Sequence, residues 1–340
     1  MKQLFENTKI NYSHTVGFTA DVGGRGFHLP RDIALNSENK LFVVSRSGAF
    51  HTAGLRITIC DIKNNYFSEF SKFGKNPGEL YWPCSIAFDS IDNVYVTDEY
   101  TNLISIFDKD GNYIDRWGIK GKKEGEINFP SGIAIDDKDQ IFITDNMNDR
   151  IQIFSKDGEY IHSWGKEGSG NGEFDKPWGI KIYDETVLVA DWRNDRIQIL
   201  IQIFDKEGNF LDKFGVSGTN EEELFRPSDV AIDKNNFYYV CDWGNQKVKI
   251  FDEKFNYCGY LRGESELSEW AKEYLDANID EKKARESFNP VIKVDDVESH
   301  EESARIESYF WDPTSVLVDK DQNLLVLDSN RNRVQIFEIG

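Results

Sequence analysis

The chain has 340 residues, enough for one large core or two domains, and 39% of them are hydrophobic, as in an ordinary globular protein. Its 60 acidic and 40 basic residues give a net charge of −20, which argues against a general nucleic-acid binder, because phosphate neutralisation requires a surplus of Lys and Arg. No apolar run approaches the length of a transmembrane helix, and the first residues contain no apolar signal-peptide core, so we expect no membrane contact.

The cysteines point to a reducing compartment. None of the four shows CxxC spacing, and they are Cys60, Cys84, Cys241 and Cys258. Free thiols of this kind are typical of cytoplasmic proteins, because disulfides persist mainly in oxidising compartments. We therefore expect a cytoplasmic protein with reduced thiols.

The first predicted element is a strand at residues 10–18, INYSHTVGF, and a repeating unit follows it. Each unit holds four short runs with period-2 alternation, rich in Ile, Val, Phe and Tyr, separated by turns such as DKDG, SKDG and DKEG. The units open at prolines spaced by 53, 47, 47, 50 and 86 residues: Pro30, Pro83, Pro130, Pro177, Pro227 and Pro313. Four strands with a period near 47 predict the blades of a six-bladed, all-β propeller.

The two ends of the chain are predicted to meet in the last blade. The sixth unit ends on its third strand, Val334 to Ile339, and lacks a fourth. Residues 10–18 resemble a fourth strand ahead of the first unit. Since an open propeller exposes two strand edges, we expect this N-terminal strand to close the last blade.

The fourth unit carries a local duplication. Residues 194–204 read NDRIQILIQIF, whereas the third unit reads NDRIQIF at residues 148–154, so four residues are inserted. An even insertion keeps the later side chains on the same face of the sheet, whereas an odd one would invert them. We expect a longer strand or a bulge here, with a structural meaning.

A repeated aspartate ends the second strand of five units: Asp98, Asp145, Asp191, Asp242 and Asp328. Five residues later stand Leu103, Arg150, Arg196, Lys247 and Arg333. An Asp and an Arg at this spacing are expected to tie the loop between the second and third strands. We interpret the pair as structural rather than catalytic.

The longest departure from the repeat is an insertion at residues 264–308, before the sixth blade. The final glycine of unit five is followed by the next proline after 50 residues, against 9 to 12 elsewhere. The insertion contains an amphipathic helical pattern around Trp270 and an acidic stretch. The single domain thus spans residues 1–340. We expect the insertion on the top face, the face carrying the loops before each proline, as a lid, a docking surface or an inert cover.

Candidate functional residues are distributed unevenly over the top face. Unit one contributes His28, Arg31, Asp32, Arg46 and, in a long loop, His51. Units four and five contribute Trp178, Trp192, Arg193 and Trp243. Arginines suit carboxylate or phosphate, and indoles suit flat or cationic groups. The alternative is that the tryptophans pack between blades and the arginines pair with local acids.

Lys181 stands where four other units have alanine: Ala34, Ala87, Ala134 and Ala231. A lysine on this inner face requires a partner, and Asp32 and Asp229 lie two residues after their own prolines, near the axis. We favour a structural ion pair over a catalytic lysine or acid, although Lys181, Asp32, Asp229, His28 and His51 are the catalytic candidates.

The FPSGIAID, D-x4-R and RIQIF motifs resemble the NHL-repeat family of six-bladed propellers over about residues 27–263 and 309–339. One branch with this resemblance, the peptidyl-hydroxyglycine amidating lyases, has zinc histidines directly after the unit prolines. Here those positions hold Arg31, Cys84, Ser131, Trp178, Ser228 and Thr314. The histidines elsewhere lack ligand spacing, so we expect no metal and no other cofactor.

Three classes of function remain open. The first is a small-molecule or peptide binder at the top of the axis, with a lyase or hydrolase acting on an anionic or aromatic substrate as its enzymatic form. The second is a protein-interaction scaffold. The third is RNA binding, which the net charge disfavours. We favour the first, because the long insertion and the Arg, His and Trp residues occur together on the predicted top face.

Overall fold

The structure is a computed structural model that describes residues 9–47, 52–193, 201–288 and 297–340. Its framework is a ring of six antiparallel sheets of four strands each, as the repeat predicts. The inner strands of neighbouring blades contact each other around the whole ring and line a central channel. Within the described residues, no helix has the length and apolar character needed to cross a membrane.

Blades one to three follow the repeat closely. Their strands, from the channel outward, are β2 (Pro30–Leu35), β3 (Leu41–Ser45), β4 (Arg56–Cys60) and β5 (Tyr66–Phe70); β6 (Pro83–Phe88), β7 (Val94–Asp98), β8 (Leu103–Phe107) and β9 (Tyr113–Trp117); and β10 (Pro130–Ile135), β11 (Ile141–Asp145), β12 (Arg150–Phe154) and β13 (Tyr160–Trp164). Second strands are buried throughout, because neighbouring blades cover both of their faces.

Blades four to six carry the irregular features. Their strands are β14 (Pro177–Tyr183), β15 (Thr186–Asp191), β16 (Ile201–Asp205) and β17 (Phe210–Phe214); β20 (Pro227–Ile232), β21 (Tyr238–Asp242), β22 (Lys247–Phe251) and β23 (Tyr257–Leu261); and β24 (Pro313–Val318), β25 (Asn323–Asp328), β26 (Arg333–Ile339) and β1 (Ile10–Val16). Two short strands, β18 (Val216–Ser217) and β19 (Glu223–Leu224), pair in a loop. The insertion forms α1 (Glu269–Ala277), α2 (Ile279–Ser287) and α3 (Ser299–Arg305).

The N-terminal strand closes the ring, as predicted. β1 pairs antiparallel with β26, from Ile10 opposite Ile339 to Val16 opposite Val334. The core consists of hydrophobic clusters between consecutive blades, and the cluster between blades six and one includes Val16, Val334 and Leu41. Closure therefore joins the two ends of the chain through both a hydrogen-bonded ladder and an apolar interface.

The duplicated segment of blade four is only partly described. The second Ile-Gln-Ile copy lies in β16, which pairs with β15 in continuous register from Ala190 opposite Ile201 to Thr186 opposite Asp205. This third strand has five residues, like β12, so the described part shows neither the longer strand nor a bulge in this pairing. The first copy, residues 197–199, lies outside the described residues, as does Arg196.

The repeated aspartate is the main polar tie of each blade. Asp145 Oδ1 accepts a hydrogen bond at 2.6 Å from the backbone of Asn128, in the loop before the unit proline. Its other oxygen lies 2.8 Å from Arg150 Nε, and Asp328 pairs with Arg333 at 2.7 Å, so the predicted Asp–Arg pairing is confirmed in both blades. The side chains of both aspartates are fully buried, which makes these contacts structural.

Blade five replaces a glutamine of this tie by a lysine. Three third strands carry a buried glutamine at the same register position: Gln152 and Gln335, two residues beyond the arginine, and Gln202 in blade four. In blade five this position is Lys249, whose Nζ lies 3.1 Å from Asp242 Oδ2 with both side chains fully buried. Burial raises the pKa of Asp242 to about 6, although the Lys249 ammonium acts in the opposite direction.

We expect deletion of residues 1–20 to cause aggregation or a melting temperature well below that of the parent, because β26 loses its partner and becomes an exposed edge. Thermal unfolding followed by circular dichroism measures the effect. Deletion of residues 1–8, which leaves β1 intact, is the control. An unchanged melting temperature after the longer deletion would refute closure by this strand.

Lys249→Gln should melt within a few degrees of the parent, because the amide restores the contacts seen at Gln152. Lys249→Met should cost about 3–5 kcal/mol, because Asp242 becomes a buried charge without its ion-pair partner. The pKa of Asp242 is higher in the folded protein than in the unfolded chain. The stability that follows from this rise is therefore fully present below the unfolded-state pKa and is lost as pH rises through about 6. The deficit of the methionine variant should therefore be larger at about pH 8 than at pH 5, and equal deficits would contradict the assignment.

Candidate functional site

Two tiers of side chains surround the upper end of the channel, because the inner strand of every blade begins there. The first tier follows the unit prolines: Arg31, Cys84, Ser131, Trp178, Ser228 and Thr314. The second tier is one residue lower: Asp32, Ser85, Gly132, Gly179, Asp229 and Ser315. The chemistry is uneven around the ring, with the cationic residue in blade one and the indole in blade four.

Arg31 is the one guanidinium of this tier, and it is half-buried. Among the described residues it makes neither a hydrogen bond nor an ion pair. The two carboxylates that act electrostatically on Arg31, those of Glu99 and Asp312, already have other partners. Glu99 forms an ion pair with Arg46 at 2.9 Å, and Asp312 accepts a hydrogen bond from Asn330 at 2.7 Å. Burial and the neighbouring Arg46 lower the pKa of Arg31, but a guanidinium stays protonated. The positive charge of Arg31 therefore has no anionic partner among the described residues.

Thr314, the blade-six neighbour of Arg31, has a second polar group without a partner. Its Oγ1 is buried and makes no hydrogen bond with the described residues. Such a group costs free energy unless a ligand or water satisfies it. Sequence reasoning did not select this residue, because a single threonine after a proline carries no functional pattern.

Arg46 differs from Arg31 in having its partners in place. Its guanidinium pairs with Glu99 and stacks 4.6 Å above the Trp82 ring, both in blade two. Arg46 therefore links blades one and two, and its ligand-binding role stays a prediction. Sequence reasoning missed Glu99 and Trp82 because they lie on another blade.

The predicted indole cluster is present across the ring. The Trp178 and Trp192 ring centroids are 5.7 Å apart, and those of Trp192 and Trp243 are 6.2 Å apart. The guanidinium of Arg226 lies 5.2 Å from the Trp192 ring centroid and that of Arg193 lies 5.6 Å from it. All three indoles are half-buried, so they offer a continuous aromatic surface rather than isolated packing residues.

Of the two histidine candidates, His28 does not join these tiers. His28 Nδ1 lies 3.1 Å from Asp21, in the loop between β1 and β2, and its ring packs closely on Gly54. His51 lies outside the described residues. His300 on α3, which sequence reasoning did not select, lies 3.3 Å from Asp312 Oδ1 and 3.1 Å from the Trp311 indole nitrogen. Within the described chain, no three His, Cys, Asp or Glu side chains are grouped to hold a metal ion.

The predicted ion pair of Lys181 is present in the second tier. Lys181 Nζ lies 3.3 Å from Asp229 Oδ2, while Ser315 Oγ lies 2.6 Å from Asp32 Oδ1 and 3.1 Å from Asp229 Oδ2. Ser85 Oγ donates to Asp32 Oδ2 at 2.5 Å. Blades one, two, four, five and six are thus connected by one polar cluster in the channel wall.

The first helix of the insertion, α1, lies on the outer rim rather than over the channel. Trp270 is buried between blades six and one, where its ring meets Phe27 and its Nε1 donates to Asn64 O at 2.7 Å, in the lower hairpin of blade one. Ser268 caps the helix and donates to Gly17 O. The apolar face of α1, which suggested a lid, is therefore buried against the junction of blades six and one.

The third helix, α3, does reach the top face. The Arg331 guanidinium donates to the carbonyls of Ser303 and Ala304, and α3 contacts the short turn at Trp243–Asn245. The insertion therefore contributes His300 near Asp312, beside the mouth of the channel. A surface cleft of about 490 Å³ lies between α1 and Tyr12, His14 and Asn64 on the rim.

Comparison with protein families supports the repeat directly. A family model described as "NHL repeat" matches residues 310–337, and one described as "6-bladed beta-propeller" matches residues 123–182 and 175–262. The chain is a six-bladed β-propeller whose sixth blade matches the NHL repeat. No curated protein matches it.

Solved structures with the same fold are distant in sequence. A protein of unknown function from Bacteroides thetaiotaomicron is 14% identical, with a TM-score of 0.60, over 98% of this chain and 77% of that one. Virginiamycin B lyase from Staphylococcus aureus is 12% identical, with a TM-score of 0.55, over 98% and 99%. Hydrazine synthase from Kuenenia stuttgartiensis is 13% identical, with a TM-score of 0.54, over 91% and 95%. At these identities the likeness shows the fold alone.

Trp270→Ala should lower the free energy of unfolding by about 3–5 kcal/mol, because it removes the ring that fills the junction of blades six and one. Phe288→Ala, at an exposed position just after α2, is the matched control and should melt like the parent. Denaturant unfolding of the two variants measures the difference. Equal stabilities would show that α1 does not brace the closure.

Proposed function

We propose that this propeller binds a small anionic ligand with a flat or aromatic part across the top of the channel. The observation that carries the proposal is Arg31, a half-buried guanidinium without an anionic partner among the described residues. Arginine forms strong charge-assisted hydrogen bonds with carboxylate and phosphate groups. The neighbouring Thr314 hydroxyl, which lacks a partner, supplies a second hydrogen-bonding group for the same anion.

The indole cluster supports the flat part of the ligand. In a ring of six blades, blades one and four are opposite, so Trp178 and Trp192 stand across the channel from Arg31. Indoles stack on aromatic rings and other flat groups. A ligand with an anionic end and an aromatic end would satisfy both sides, and His300 would border it near the blade-six mouth.

The enzymatic form of this proposal is a lyase or a hydrolase. Among proteins with the same fold are structures named streptogramin B lyase and virginiamycin B lyase, so the architecture is compatible with bond cleavage at a propeller site. The fold by itself does not assign a reaction. We assign acid–base chemistry in a cytoplasmic protein as the working form, because the described site offers carboxyl, ammonium and imidazole groups.

A protein-docking role is the second candidate, and one surface favours it. Tyr100 is 44% exposed at the top of blade two, and its ring stacks on Tyr81 at a centroid distance of 4.1 Å. Trp82 meets Tyr100 edge to face. A peptide or protein partner could use these rings without occupying the channel, so mutations at Arg31 would leave its binding unchanged.

Titration of tryptophan fluorescence with benzoate, phenyl phosphate and neutral benzyl alcohol tests the ligand proposal. We expect the two anions to bind and the alcohol to bind far more weakly. Arg31→Ala should weaken anion binding roughly ten- to hundredfold, because a charge-assisted contact contributes on the order of 1.5–3 kcal/mol. Its melting temperature should stay close to that of the parent.

Arg285→Ala is the matched control, because it removes an exposed guanidinium on α2, far from the channel. Trp192→Ala should weaken both aromatic anions but leave inorganic phosphate unaffected. Equal anion affinities for Arg31→Ala and the parent would place the anion site elsewhere, and no binding of either aromatic anion by the parent would overturn the proposal.

A further inference from the structure

The second tier of the channel contains more carboxylates than its cations neutralise. Asp32 and Asp229 are 6% and 4% exposed, and the ammonium that faces them is Lys181. Among the described residues, a further titratable group near the pair is Cys241, buried on β21. With both carboxyls ionised and Lys181 protonated, the cluster carries one net negative charge in a buried setting, which favours uptake of a proton.

The hydrogen-bond geometry shows where that proton fits. A serine hydroxyl has one hydrogen, yet Ser315 Oγ lies 2.6 Å from Asp32 Oδ1 and 3.1 Å from Asp229 Oδ2. When Ser315 donates to Asp32, the contact with Asp229 lacks a hydrogen. A proton on Asp229 completes a chain in which Asp229 donates to Ser315 and Ser315 donates to Asp32.

The surroundings also favour this chain over two separate carboxylates. Asp32 accepts at one oxygen from Ser85 Oγ and Ile86 N, and at the other from Ile33 N, so its ionised form is well solvated by the protein. Burial raises the pKa of Asp229, with Lys181 opposing and Asp32 reinforcing the rise. Burial alone would lower the pKa of Lys181, but the two carboxylates outweigh it and raise the pKa. Lys181 therefore stays an ammonium, and the exchangeable proton belongs to the carboxyl pair.

We propose that Asp229, Ser315 and Asp32 form a proton-sharing site in the channel wall, oriented by Lys181, that serves as the acid for a ligand held at Arg31. This second half rests on the proposed function, whereas the shared proton does not. Asp32 follows Arg31 directly, so the site lies one residue below the anion position. In the transfer, a carboxyl O–H bond breaks and the proton joins the leaving oxygen or nitrogen of the ligand as its bond to carbon breaks, while a water molecule forms the new bond to that carbon and releases a proton to the solvent in the channel. The cluster keeps the negative charge until water in the channel returns a proton.

Carbon-13 NMR of protein labelled at the aspartate side-chain carboxyl tests the shared proton without any ligand. We expect one resonance that titrates more than about one unit above the ordinary aspartate value of about 3.9 and disappears in Asp229→Asn. Asp242 beside Lys249 provides a second raised resonance that should stay fixed as an internal reference, and the same holds for Asp145 and Asp328, whose pKa values burial also raises. Asp110→Asn, at an exposed hairpin position, is the control and should leave all of these resonances unchanged.

Two further variants separate a shared proton from a simple ion pair. Lys181→Ala introduces an alanine, the residue found at the equivalent position of four other blades, so it is compatible with the fold. These alanines are Ala34, Ala87, Ala134 and Ala231. Loss of the ammonium should raise the pKa at which the Asp229 resonance titrates. Ser315→Ala should abolish the coupling and alter the titration of both Asp32 and Asp229. Arg31→Ala should leave the raised resonance in place, which distinguishes this inference from the ligand proposal.

The result that would overturn the inference is a parent protein in which Asp32 and Asp229 both titrate at ordinary aspartate values. The inference would also be overturned if Asp229→Asn and Asp32→Asn each kept every raised resonance of the parent protein. Melting curves for each variant establish that it is folded before its titration is interpreted.

Discussion

A buried carboxylate at the end of the second strand in blades two to six is the constraint on which the top face depends. Asp145, Asp242 and Asp328 each accept a backbone N–H from the loop that precedes the unit proline, at 2.6 to 2.7 Å. In blade one Ser45 takes this place and accepts from His28 N. Burying an ionised aspartate costs free energy unless hydrogen bonds replace the lost hydration. The backbone N–H groups that supply these hydrogen bonds therefore hold the loop in place. The loop in turn fixes the first residue after each proline, which is the tier that surrounds the channel.

Closure sets the second constraint, because the tiers meet only when the ring is complete. Two devices act at the same junction. β1 gives β26 its hydrogen-bonding partner, and Trp270 from the insertion fills the space between blades six and one. Arg31 and Thr314, in blades one and six, lie on either side of this junction. The described site is therefore assembled from residues near the opposite ends of the sequence, and its geometry depends on the strength of the closure.

The sequence predicted those features of the fold and site in which the interacting residues lie within one repeat or at equivalent positions of two repeats. The blade pattern, the Asp145–Arg150 pair and the closing strand follow from periodicity, and the Lys181–Asp229 contact follows from position relative to the prolines. The Arg46–Glu99 pair could not be predicted, because register within one blade says nothing about which side chains meet across a blade interface. The same holds for Trp270, whose helical spacing identified an apolar face but not the surface that covers it, and for His300, whose neighbours Trp311 and Asp312 come from another element.

A repeat protein offers a way to separate structural from functional departures, because each blade is a control for the others. Lys249 departs from the glutamines of three blades, but it makes contacts equivalent to those of Gln152 and has Asp242 beside it, so its charge is fully compensated. Arg46 departs as well and is compensated by Glu99. Around Lys181 the excess charge is negative, since the carboxylates of Asp32 and Asp229 face one ammonium, whereas Arg31 has no compensating anion among the described residues. Uncompensated charge is stable in a folded protein only if something else supplies the counter-charge. At Lys181 the geometry admits a proton, and at Arg31 it admits a ligand. Both residues face the same channel, so the proposed anion site and the proposed proton-sharing site lie next to each other.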